Sequence, residues 1–275
     1  MKTRIISGII MVIIAITILS LGKLTLGISM ALISLVAVYE GSKAIGVLEG
    51  DKPLFFINTI FSLCVNSIYI LNTLNVFTFG FEETLVPIAV VYIIVCLIYG
   101  VINYGKTAFS LITENIFFMF YIVVFFSYIV LIRASRWGEV LIWLVLLSPW
   151  ATDTLAYFSG VFFGKRKLIE KVSPKKTIEG SIGGTVGCVA VAYIYGVIVS
   201  KLGYFPNFSN LLIFAAVSSV VSQFGDLAAS CIKREHGVKD YGSLIPGHGG
   251  ILDRFDSVLF VAPLMYYFMQ YLPIL

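Results

Sequence analysis

SQFGDLAASCIKREHGVKDYGSLIPGHGGILDRFDS, residues 222–257, packs four aspartates (Asp226, Asp240, Asp253, Asp256), four cations (Lys233, Arg234, Lys239, Arg254) and both histidines between two apolar runs. Charge at the edge of a membrane segment is costly to place and usually has a task. The apolar runs on either side, near 211–231 and 255–272, decide the fold. Seven more lie upstream, near 5–21, 24–39, 54–72, 85–103, 116–132, 139–163 and 181–200. Each is close to the roughly 20 residues that cross a bilayer as helix. Backbone polar groups cannot stay unpaired in lipid, so helix is the default conformation. The expected fold is an all-α integral membrane protein, a polytopic bundle of about nine transmembrane helices with its active site at the cytoplasmic face.

Composition agrees. Of 275 residues, 59% are hydrophobic and 12% charged, against roughly 25% charged in soluble domains. Mean hydropathy is +0.98. A net charge of +4, scattered along the chain, does not suit nucleic acid. The four cysteines lie singly in or beside apolar runs, with no CxxC pair, and read as small packing residues. Residues 1–21 resemble a signal peptide only in outline: no A-x-A-like site follows, so a retained first span is expected. The first two runs are short, are separated by little more than Gly22-Lys23, and form a tight hairpin or an unresolved pair.

Lys and Arg set the orientation. With the N-terminus in the cytoplasm, alternate loops place fifteen of the 19 cations inside; only Lys23, Arg133, Arg136 and Lys201 fall outside. Nine spans leave the C-terminus outside, in a multi-pass protein of the cell membrane. Residues 1–135 read as a scaffold of about five helices. Residues 136–275 read as the catalytic half, with cytoplasmic loops 164–180 and 233–253. Glu40, Glu49 and Asp51, beside Lys43 and Lys52, are expected at a solvated boundary, as are Glu82 and Glu83.

The second half carries the chemistry. Asp153, Tyr157, Gly160 and Gly164 recur at helical spacing on one face, and the two glycines form a GxxxG pair that permits close helix contact. An acid in so apolar a setting is either paired with a neighbour or part of a site. Next, KRKLIEKVSPKKTIEGSIGG (165–184) suits anionic headgroups. Ser173-Pro174-Lys175-Lys176-Thr177, leading through glycines into a helix, also suits a bound phosphate.

In the run 211–234, Ser222, Asp226, Ser230 and Lys233 share a face, with Gln223 at its edge. Asp226 is there as a structural ion pair or as a cation ligand. Pro246-Gly247-His248-Gly249-Gly250 is a turn whose amides can form an anion nest. His248 suits either donation to a phosphate or support of that turn; His236 reads as a loop residue. Asp253 and Asp256 then open the last helix on one face. Two such acids, Asp226 in the preceding helix and the nest between them describe an oxygen-ligand pocket for Mg²⁺ bridged by polyphosphate.

SCIKREHGVKDYGSLIPGHGGILDRFD, 230–256, resembles the signature of the phosphatidate cytidylyltransferase (CDP-diacylglycerol synthase) family, in its K-R, K-D, P-x-H-G-G and D-R-x-D elements. The likeness extends upstream through Phe224-Gly225-Asp226, the SPKKT-x-EG loop and the helix from Asp153 to Gly164. It implies a Mg²⁺-dependent reaction of CTP with phosphatidate giving CDP-diacylglycerol and pyrophosphate, with one or two ions left open. The roles expected on that basis are metal binding by Asp226 and Asp253, with Asp256 close by and Asp153 as a further acid. Lys233, Arg234 and Arg254 neutralise phosphate, with Lys239 also on the substrate. Ser173, Lys175 and Lys176 bind phosphate, that of the lipid in preference. Gly249 and Gly250 give amides to CTP, with His248 beside them. CTP, phosphatidate and the bilayer are the expected partners, and a homodimer is allowed. Rival readings are a CTP-dependent polyprenol kinase, which would release CDP, a secondary transporter or channel using Asp153 and Asp226, and a non-catalytic scaffold.

Overall fold

A computed structural model describes residues 2–74, 76 and 80–275, with side chains from residue 6 onward except those of Phe81 and Glu82. The readings of Lys2, Arg4 and Glu82 lie outside the described side chains. Ten helices follow in order: α1 (Lys2–Ser20), α2 (Lys23–Ala44), α3 (Val47–Gly50), α4 (Lys52–Thr73), α5 (Phe81–Ile102), α6 (Phe109–Ala134), α7 (Gly138–Phe163), α8 (Ile178–Lys201), α9 (Phe208–Glu235) and α10 (Leu252–Tyr271). A strand pair, β1 (Lys167–Ile169) and β2 (Ser173–Thr177), stands between α7 and α8.

The chain is an all-α, polytopic membrane protein; among the described residues the short pair β1 and β2 is the only strand pairing longer than an isolated bridge. Among the described residues, seven helices (α2 and α4 to α9) are long and apolar enough to cross a membrane. The described apolar part of α1, Ile6–Ser20, is shorter. α10 opens on Asp253, Arg254 and Asp256 and is not among those seven. The first two runs are separate helices, broken where Gly22 takes a left-handed φ of 103°.

Two compact units divide the residues: Met1–Val130 with Asp240–Arg254, and Leu131–Lys239 with Phe255–Leu275. In the first, the helices are joined by buried polar groups that satisfy one another. The side-chain amides of Asn58 (α4) and Asn115 (α6) exchange hydrogen bonds of 2.8 and 3.0 Å, and Tyr92 Oη (α5) donates to Asn58 Oδ1 at 2.9 Å. Such bonds are helix glue where no water competes. Asp51 caps α4 through Leu54 N at 3.1 Å and accepts from Tyr99 Oη at 2.5 Å and Thr107 Oγ1 at 2.6 Å. It is 5% exposed, and Glu40 is 4% exposed. The expected solvated boundary therefore holds for exposed Glu49 but not for these two acids. Lys43, three residues from Glu40, made a surface pair look sufficient, yet Lys43 is exposed and Glu40 turns inward.

In the second unit, α7 and α8 meet along a seam of small residues. A Cβ at Gly184 would lie 2.8 Å from Thr152 O and 2.9 Å from Ala156 Cβ; one at Gly180 would lie 2.8 Å from Ala156 O. Gly160 and Gly164 fit against Thr177 at the start of α8, so the GxxxG reading of close approach holds. Hydroxyls bind α9 to the same pair: Thr152 Oγ1 donates to Ser219 Oγ at 2.9 Å, and Ser219 Oγ to Thr185 Oγ1 at 3.1 Å. Because backbone blocks the space at Gly184, Gly184→Ala is expected to cost about 1–3 kcal/mol. Thermal unfolding of the purified protein in detergent checks this, with an unchanged midpoint as the contrary result.

Candidate active site

The strand pair shows how local sequence aims a charged group. β1 and β2 pair antiparallel, Lys167 opposite Thr177 and Ile169 opposite Ser173. Side chains alternate across a strand, so Lys175 and Lys176 leave β2 on opposite faces. Lys175 is exposed and Lys176 half-buried. Three residues after them lock the hairpin onto α8. Thr177 is the N-cap, accepting from Gly180 N at 3.1 Å. Glu179 Oε2 accepts the amides of Lys165 at 3.0 Å and Arg166 at 3.2 Å. Ile178 N donates to Arg166 O at 3.0 Å. Thr177, Glu179 and the glycines of α8 thus serve architecture: the amide of Gly180 is on Thr177, and Gly180, Gly183 and Gly184 face α7.

So held, Lys176 Nζ reaches Asp226 Oδ2 on α9 at 2.5 Å, with the two side chains 26% and 29% exposed. That Nζ is shielded from solvent and makes no hydrogen bond with any other described residue. An ammonium has three donors, so its capacity exceeds what Asp226 takes up. Asp226 Oδ1 also accepts from Ser230 Oγ at 3.4 Å. The predicted stripe on α9 is real: Ser222 and Lys233 are buried, Asp226 and Ser230 half-buried.

Asp256, 8% exposed, accepts from Ser257 N at 2.7 Å. It interacts electrostatically with Asp226, Lys233 and Asp153. Gly225 permits this approach, since a Cβ there would lie 2.9 Å from Asp256 O and 3.0 Å from the Phe260 ring. Asp153 itself is exposed on α7. Among the described residues, no three His, Cys, Asp or Glu side chains close into a ready-made metal cage. The cluster of the second unit is therefore Asp226, Asp256, Lys176 and Lys233, with Asp153 at its electrostatic margin. α9 ends just beyond it in a Schellman turn: Gly237 has φ 67°, its N–H goes to Arg234 O at 3.1 Å, and Val238 N goes to Lys233 O at 2.9 Å. Arg234 and Lys239 are exposed and Ser173 is half-buried.

The signature loop, 240–254, belongs to the first unit. It reverses over Ile245–Gly249, where Ile245 N donates to Gly249 O and His248 N to Ile245 O, both at 2.9 Å. Gly247 and Gly249 make that possible with φ of 78° and 85°. His248 Nδ1 lies 2.8 Å from Ser7 Oγ, which also donates to Pro246 O at 3.1 Å. The histidine thus supports the turn. The amide of Gly250 donates to Asp253 Oδ2 at 2.9 Å, and the same oxygen accepts Tyr241 N at 2.8 Å. Asp253 is 5% exposed, and Arg254 beside it is exposed. Glu40 accepts the next two amides, Ile251 N at 3.1 Å and Leu252 N at 3.0 Å. Nothing in the sequence pointed to Glu40, because its partners lie over 200 residues away.

A model of the cytidylyltransferase family matches residues 2–272. The phosphatidate cytidylyltransferase of Bacillus subtilis is 33% identical over 271 residues, 98% of this chain and 97% of that protein. That of Thermotoga maritima is 45% identical over 125 residues, 45% of this chain and 46% of that protein. That of Haemophilus influenzae is 43% identical over 136 residues, 48% of this chain and 46% of that protein. The latter two matches thus span about half the length of each relative. With a family model matched almost end to end and one relative aligned along nearly its whole length, the chain belongs to the cytidylyltransferase family.

Proposed function

We propose that this protein converts CTP and phosphatidate to CDP-diacylglycerol and pyrophosphate in the cell membrane, with the cluster on the cytoplasmic side. The observation that carries this reading is Lys176, shielded from solvent on Asp226 with donors to spare, beside buried Asp256. A cation held in place by a carboxylate, with unused donors, suits an arriving phosphate oxygen.

Mg²⁺ fits the donor set. Magnesium takes one or two protein carboxylates and completes its shell with water and substrate phosphate. Asp226 and Asp256 would hold the ion, and its charge would offset that of the CTP phosphates. Asp253 is assigned to shaping the signature loop, in keeping with the two amides on its Oδ2. In the reaction a phosphatidate oxygen forms a bond to the α-phosphorus of CTP as the bond to pyrophosphate breaks. The lipid phosphate is already ionised near neutral pH, so the chain need not supply a base. Its task is to position and neutralise. Lys176 and Lys233 face the reacting phosphates, Lys175 gathers the lipid phosphate at the surface, and Arg234 offers a further exposed cation.

The test is product analysis with purified protein, α-labelled CTP, Mg²⁺ and phosphatidate micelles. Labelled CDP-diacylglycerol and pyrophosphate in equal amounts are expected. Release of CDP with a phosphorylated lipid would mean a kinase, and absence of a lipid product would overturn the reading. Lys175→Ala is expected to raise the apparent KM for phosphatidate about fivefold, on the order of one headgroup contact. The KM for CTP should move less, and the reverse ordering would displace the hairpin from the lipid side.

A further inference from the structure

The signature loop is held by two carboxylates. Asp253, at the loop's own end, takes the amides of Tyr241 and Gly250. Glu40, from α2, takes those of Ile251 and Leu252, one on each oxygen. Four consecutive or flanking amides that could face a ligand are thus bound within the chain. Glu40 is 4% exposed, and the loop closes round it. A Cβ on Gly250 would lie 2.5 Å from either of its oxygens, and one on Gly242 would collide with Oε1. Two glycines of the loop are therefore shaped to one buried carboxylate.

We propose that Glu40 is a positioning residue for the cytidylyl transfer: by clamping the first amides of α10 it sets the signature loop in the geometry the reaction needs. The proposal rests on the function given above. Burying a charge is worthwhile only where hydrogen bonds to charged acceptors return the cost. The amides at a helix N-terminus are such donors, and they also carry the positive end of the helix dipole. The clamp fixes where the helix begins, and so the direction in which Arg254 leaves it. Asp253 depends on it too, because Gly250 N, which donates to its Oδ2, adjoins Ile251. Glutamine at position 40 would offer one oxygen and one NH₂ to two N–H donors. One backbone N–H would then face the NH₂, donor against donor, and the loop must move. A displacement of about 1 Å in a positioning element lowers turnover on the order of a hundredfold.

The test compares Glu40→Gln and Gly242→Ala with the wild-type protein in detergent–phosphatidate micelles. For both variants kcat/KM for CTP, measured per folded molecule well below the melting midpoint, is expected to fall on the order of a hundredfold, while the midpoint drops by only a few degrees and the elution volume stays that of the wild-type protein. Amide hydrogen exchange over 245–255 should quicken in both, with exchange over 165–177 unchanged. Gly242→Ala moves the loop with Glu40 retained, so it decides the matter if Glu40→Gln does not fold. Normal turnover per folded molecule in either soluble variant overturns the proposal, as does a loss of activity that merely follows the melting midpoint. The functional reading fails separately: a wild-type protein that makes no CDP-diacylglycerol sinks that reading, while the exchange comparison still reports whether Glu40 holds the loop.

Discussion

Asp226→Asn is expected to lower CDP-diacylglycerol formation by about two to three orders of magnitude, the scale for removing a charge-stabilising group from a reacting centre. The substitution keeps shape and removes charge. Asp226 meets both Lys176, through an ion pair, and Asp256, through the field between them. Its loss would leave Asp256 alone to hold a divalent ion and Lys176 without its anchor. The plainer account makes Asp226 and Lys176 a structural pin. Magnitudes separate the two. A pair 26% and 29% exposed lies between surface pairs, worth about 0–1 kcal/mol, and buried ones, whose breaking costs about 3–5 kcal/mol; neither accounts for a loss of turnover in molecules that stay folded. Turnover per folded molecule should therefore collapse well beyond any drop in the melting midpoint. Equal, modest losses of stability in Asp226→Asn and Lys176→Gln, with normal turnover of the folded protein, would favour the pin.

Lys176→Gln is the second large effect. It removes the cation that neutralises Asp226 and that we assign to the lipid phosphate. Turnover should fall on the order of a hundredfold, with the KM for phosphatidate rising more than that for CTP. Removing the ammonium also leaves Asp226 without its ion-pair partner, so higher Mg²⁺ should recover part of the activity. Asp226→Asn should show no such recovery, because the ion has lost a ligand. A Lys176→Gln enzyme with an unchanged KM for phosphatidate would remove this residue from the lipid site.

The long helices were legible because each is an apolar run of membrane length, and nothing else in the chain competes for that reading. Their ends were less so. The run 116–132 becomes a helix from Phe109 to Ala134. Its first turns include Asn115, polar in sequence but buried and paired with Asn58. The strand pair escaped notice since three- and five-residue strands rich in lysine carry no apolar alternation. The stripe on α9 was readable from spacing alone. Lys176 as the partner of Asp226 was not, because strand alternation decides which of two adjacent lysines turns inward. Glycines were the most ambiguous letters: Gly180 and Gly184 looked like phosphate-loop residues and are helix contacts, whereas Gly225, legible only as part of the family resemblance, makes room for Asp256, and Gly242 makes room for Glu40.

The most direct measurement uses Mn²⁺ in place of Mg²⁺, read by electron paramagnetic resonance and by relaxation of the phosphorus signals of CTP. The purified protein should bind Mn²⁺ with CTP present and broaden the CTP phosphorus resonances. Asp226→Asn and Asp256→Asn should each abolish that bound signal while the proteins remain folded. Undiminished Mn²⁺ binding and broadening in both variants would place the ion elsewhere and contradict the carboxylate pair as its holder.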